Sequence, residues 1–93
     1  MAKRRKRGLG SSAAEHTSRA ENAAIRAREI ASNVIYAADK KECRVAHGLS
    51  VMLQRQVGRA QAEHEASGRS YNADAGIVRN ARQAFWQNCV KDT

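Results

Sequence analysis

The chain has 93 residues, 17 of them lysine or arginine and 9 aspartate or glutamate, for a formal net charge of +8. That length admits one domain with a small core, and it contains no apolar run of about 18 residues with which to cross a bilayer. The hydrophobic content of 42% overstates the core, because alanine supplies 18 of those residues and Leu, Ile, Val and Phe together only 14 of 93, under the roughly 20% expected of an ordinary globular chain. A lone monomer is therefore marginal, and a partner or self-association surface would add stability.

Residues 1–10 read as a basic arm. Lys3, Arg4, Arg5, Lys6 and Arg7 carry five of the positive charges; like charges in a block repel, stay extended and meet phosphates. Gly8-Leu9-Gly10 makes a hinge. The remainder, 11–93, is expected to be a single all-α domain of three helices: a long antiparallel hairpin plus a third helix packed across it. The absence of proline leaves long helices uninterrupted.

The first helix is expected over about 12–38. Ser12-Ala13-Ala14-Glu15 matches a capping box, and Glu15 and Arg19 form a favourable i,i+4 pair. Ala20, Ala23, Ala24, Ala27, Ile30, Ala31, Val34 and Ala38 recur at three- and four-residue steps, which makes one small-residue face. A break at Asp39 is preferred to one continuous helix from Ser12 to Ser67, since Asp39-Lys40-Lys41-Glu42 reads as a new N-terminus with Asp39 and Glu42 capping reciprocally.

The second helix, over 40–67, is expected to organise the fold through a stripe of Val45, Leu49, Met52, Leu53, Val57 and Ala60. Gly48 and Gly58 each cost roughly 1 kcal/mol there relative to alanine, so close approach of another helix is one reason for them and simple tolerance is the other. Gly68 suits a left-handed helix end. After turn chemistry at 67–72, the third helix is expected over 73–90, with Ile77, Val78, Ala81, Ala84, Phe85 and Cys89 inward. Trp86 adjoins Phe85 and falls at the edge of that stripe, where it covers the core, meets a partner or stacks on a base.

Function is sought in the charges. Five adjacent cations displace counterions from a nucleic acid and bind phosphates without reading sequence. Arg55 and Arg59, one turn apart, and Arg79 and Arg82, three apart beside Asn80 and Gln83, extend the basic surface; such residues read bases from a major groove in some proteins, but two long preceding helices resemble a hairpin more than a compact helix-turn-helix, and a solvated helix face explains the same residues. Cys43 and His47 have the spacing of half a zinc site, to be completed by Cys89 and either His16 or His64, yet no Cys-x-x-Cys pair supports a metal. Cys43 with His47 as base lacks a third group and an oxyanion donor. Neither a metal, a cofactor nor a catalytic residue is therefore assigned, and the chain is read as no enzyme. Glu63-His64-Glu65 is read as an exposed acidic patch. With no secretory signal ahead of them, Cys43 and Cys89 are expected as free thiols in a reducing cytoplasm, a single interhelical bridge being the alternative.

The run Lys3-Arg4-Arg5-Lys6-Arg7-Gly8-Leu9-Gly10-Ser11, with Glu15-His16, Cys43-Arg44-Val45-Ala46 and Gly58-Arg59-Ala60 further on, resembles a group of small phage proteins that open with a basic run and Arg-Gly-Leu-Gly-Ser and continue as alanine- and arginine-rich helices. The group has no activity to carry over; the resemblance implies a phage source, hence a host cytoplasm or a virion, and partners among DNA, virion components or host factors. The expectation is a non-enzymatic nucleic-acid-binding protein, DNA ahead of RNA, with no membrane association. The alternative is a helical structural or interaction protein that self-associates, joins a virion, or binds an acidic protein or a host nucleic-acid enzyme.

Overall fold

The structure is a computed structural model and describes residues 13–68 and 76–91. Three helices make it up: α1 (Ala13–Asp39), α2 (Cys43–Ala66) and α3 (Gly76–Phe85), the last continued by a π-helical turn over Trp86–Val90. The described residues contain no strand. The basic arm, the proposed Ser12 cap and the start expected for the third helix at 73 lie outside the described residues.

Alanine positions fix the antiparallel pairing of α1 and α2. Ala23 and Ala24 pack with Ala60 at one end, Ala37 and Ala38 with Ala46 at the other, and Ala27, Ile30, Ala31 and Val34 meet Leu53 and Val57 between them. Residue numbers rise on one side as they fall on the other. Small side chains at the seam let two helix axes sit at the close end of the usual range. α3 lies along the same seam, parallel to α1: Val78 and Ala81 join the middle cluster, while Ala84, Phe85 and Cys89 sit against the Ala37–Ala38–Ala46 end.

The helix that organises the fold is α1, not α2 as the sequence suggested. Nine of the fifteen buried apolar residues lie on α1, and α1 packs against both other helices, which touch each other far less. Several alanines of α1 bury completely, whereas Val45 and Met52, large residues of α2, stay exposed. The stripe on α2 also begins one residue later than expected. Ala46 is buried while Val45 is 53% exposed, and Met52 stands outside while Leu53 is inside. Valine is the more hydrophobic residue, but the inward position at that corner falls to Ala46, which packs with Ala37 and Ala38 and beside Ala84, Phe85 and Cys89.

The break falls where expected, but its chemistry is different. Asp39 is the last residue of α1 rather than a cap of α2, and Glu42, at the N-cap position, makes no side-chain capping bond. Lys41 adopts φ +62°. Its amide donates to the Ala38 carbonyl at 2.9 Å and that of Glu42 to the Ala37 carbonyl at 2.9 Å, the paired bonds of a Schellman helix end with lysine in the left-handed position that glycine usually occupies. A side chain there costs about 1 kcal/mol or somewhat more. Lys41→Gly is therefore expected to raise the unfolding free energy by about 1 kcal/mol, less the entropy that glycine restores to the unfolded chain; urea melts of the two proteins check it. The matching end of α2 follows expectation: Gly68 has φ +81° and its amide donates to the Glu65 carbonyl at 3.0 Å.

Gly48 and Gly58 face solvent, and a methyl group added at either meets nothing within 4 Å. Among the described residues no helix approaches them, so they are tolerated glycines.

Cys43 and Cys89 are joined by a disulfide, with Cα atoms 5.4 Å apart, which corrects the expectation of two free thiols. The first residue of α2 and the far end of the π-helical turn are brought side by side because α2 and α3 run antiparallel, a relation invisible while the helices are read singly.

Candidate nucleic-acid interface

Arginines one or two turns apart on different helices converge only once the α1–α2 register is set. α1 and α2 flank a groove of about 660 Å³ whose lining includes Arg19, Asn22, Arg26 and Glu29 from α1 with Gln56 and Arg59 from α2. Arg19 and Arg26 are seven residues apart, two turns along one flank of the alanine face. Of the arginines singled out from sequence, Arg59 belongs to this groove. Sequence reasoning paired Arg19 only with Glu15 and left Arg26 aside; their seven-residue spacing beside the inner stripe was the available signal.

Glu63 closes the end of this region. The Nδ1–H of His16 donates to Oε1 of Glu63 across the hairpin. That bond chiefly lowers the Glu63 pKa from its ordinary 4.5; the charges of His16, Arg19 and Arg59 lower it further, and partial burial works against them. Because the folded value lies below the unfolded one, the interaction contributes stability above the unfolded pKa and loses it as pH falls through the folded value. Glu63→Gln is accordingly expected to flatten the acid limb of stability below about pH 4.5, seen as converging thermal midpoints of variant and parent as pH falls. His64 is buried, so Glu63-His64-Glu65 is not the exposed acidic patch expected: only Glu65 is fully exposed, since His64 continues the inner face of α2 after Val57 and Ala60.

Arg79 and Arg82 lie elsewhere. With Gln83, Trp86 and Gln87 they line a basic shelf on α3 and the π-helical turn. Arg79 is exposed, whereas Arg82 is half-buried and donates a hydrogen bond to the side-chain carbonyl of Gln54 on α2. Arg55 is exposed on α2 and lines neither cleft. The four arginines named from sequence thus distribute over separate places, with Asn80 exposed nearby. Lys3–Arg7 lie outside the described residues.

The thiols of the metal and nucleophile readings are consumed in the disulfide, and the His47 ring packs against Phe85 with centroids 6.1 Å apart. Among the described residues no helix is long and apolar enough to cross a membrane. Compared with protein-family models, curated proteins and solved structures, the chain matches none of them.

Proposed function

We propose that the chain is a small non-enzymatic nucleic-acid-binding protein of phage type, acting on DNA ahead of RNA. The observation that carries this reading is the groove in which Arg19, Arg26 and Arg59 stand together with the amides of Asn22 and Gln56, three cations against the one carboxylate of Glu29. Guanidinium groups pair with phosphate oxygens in fixed geometry, and side-chain amides supply further hydrogen bonds to the backbone. The arm Lys3–Arg7 adds five cations. In this reading arm and groove engage phosphates without selecting sequence, and Arg55, Arg79 and Arg82 extend the positive field that draws the polymer in.

Binding of the intact chain and of a 9–93 truncation to duplex DNA, single-stranded DNA and RNA across a salt series tests it. If all the arm charges engage duplex phosphates, their loss lowers the log–log salt slope by roughly 4 to 5. Binding unchanged by the truncation would refute the role of the arm, and no binding near physiological salt would refute the reading as a whole.

A second reading, self-association or docking to another protein, draws on the exposed Val45 and Met52, two turns apart on α2 and 53% and 49% exposed. Sedimentation at micromolar concentration separates the two: a concentration-independent monomer with cooperative unfolding speaks against self-assembly.

A further inference from the structure

Trp86 is the one tryptophan of the chain, and it stands 52% exposed at the point where α3 passes into the π-helical turn. It lies on the boundary of two clefts. On one side, Leu53, Phe85 and Val90 with Ser50 and Gln54 line a mainly apolar cleft of about 290 Å³, a size and character that suit a planar ring with polar edges. On the other is the basic shelf of Arg79, Arg82, Gln83 and Gln87. None of the described residues lining either cleft is acidic.

The hydrogen bond from Arg82 to Gln54 ties shelf and cleft together, and the disulfide at Cys89, three residues beyond Trp86, fixes the turn that carries the indole to the start of α2. An aromatic face held in place beside guanidinium groups and hydrogen-bonding amides is the combination by which proteins hold unpaired bases: the ring stacks, the cations take the adjoining phosphates, and the amides meet the base edge. A duplex offers phosphates but keeps its base faces covered.

We propose that Trp86 is a stacking platform for an unpaired base, with Arg79 and Arg82 holding the flanking phosphates, so that this end of the molecule binds single-stranded nucleic acid while the α1–α2 groove and the arm bind either form. The proposal rests on the nucleic-acid reading above and deepens it by naming the strand state recognised. Deoxy- and ribo-polymers share the chemistry of base face and phosphate.

The experiment uses the full chain, end-labelled oligothymidylate and oligouridylate of about 12 nucleotides, and a duplex of the same length. Label anisotropy reports binding, and intrinsic fluorescence excited at the indole reports Trp86 alone. Both single strands are expected to quench the indole as they bind, and the duplex to bind with little change in emission. Trp86→Ala is expected to weaken single-strand affinity roughly 5- to 150-fold and leave duplex affinity nearly as it was. Trp86→Phe, which keeps an aromatic face and guards against loss of folding, should retain most of it. The stronger of the two single-strand affinities identifies which of the two polymers is preferred. Single-strand binding without quenching, or an equal loss for duplex and single strand in Trp86→Ala, overturns the stacking site but leaves nucleic-acid binding standing. No change in anisotropy with any polymer overturns both.

Discussion

Reducing the bridge between Cys43 and Cys89, or replacing both cysteines with serine, is expected to lower the unfolding free energy by about 4 kcal/mol. The two residues are 46 apart, and the loop entropy a cross-link of that span removes from the unfolded chain amounts to about that figure in the chain-entropy model. For a domain of this size the thermal midpoint falls by some 20 °C. Much of a typical domain's margin of about 5–15 kcal/mol is involved, which matters the more where alanines dominate the interior. The loss is expected first at the C-terminal end, because α3 makes few contacts with α2 and the bridge joins them directly. Urea denaturation with and without dithiothreitol, followed by helical circular dichroism, checks both magnitude and order. A midpoint indifferent to reductant would contradict the structural role of the bridge.

Leu53→Ala is the second large effect. Leu53 is 2% exposed and, with Val34, is among the largest fully buried side chains; it sits in the cluster to which all three helices contribute. Truncation removes its transfer free energy and leaves a cavity. Several neighbours, Ala27, Ala31 and Ala81, are too small to swing into the space, so the cost should be about 3–5 kcal/mol. Leu53→Met, which nearly conserves volume, should cost less than about 1.5 kcal/mol. Equilibrium denaturation of the three proteins provides the comparison. A loss under about 1 kcal/mol for the alanine variant would place the effective core elsewhere.

What could be read from sequence was the part decided locally. Ala20, Ala23, Ala24, Ala27, Ile30, Ala31, Val34 and Ala38 were read as one face of a helix and all are buried. On α3 the inward set was also correct: Val78 and Ala81 are buried, and Ile77 and Phe85 pack half-buried against them. Helical periodicity suffices for such assignments, because it needs no knowledge of neighbours. At the start of α2 it misled, since Val45 and Ala46 compete for one inward position and only the adjoining helices decide between them. Lys41 gave no signal, because the left-handed turn it makes is ordinarily announced by glycine. The site was less legible for the same reason. Arg59 finds Arg19 and Arg26, Glu63 finds His16, and Cys43 finds Cys89 only across a helix pair whose relative register is set by packing.

The bridge has a mechanical consequence. Cys43 and Cys89 close residues 44–88 into a covalent loop, and α1, the helix that carries most of the core, lies outside it. Tension applied to the two ends of the chain passes along α1, crosses from one sulfur to the other and leaves through the last residues, so the backbone between Cys43 and Cys89 carries none of it. The 46-residue separation corresponds to about 160 Å of extended backbone that stays hidden from a pulling force until the bond is reduced. A load on the arm would therefore strip α1 from its neighbours, while the oxidised remainder keeps α2 tied to the turn bearing Trp86.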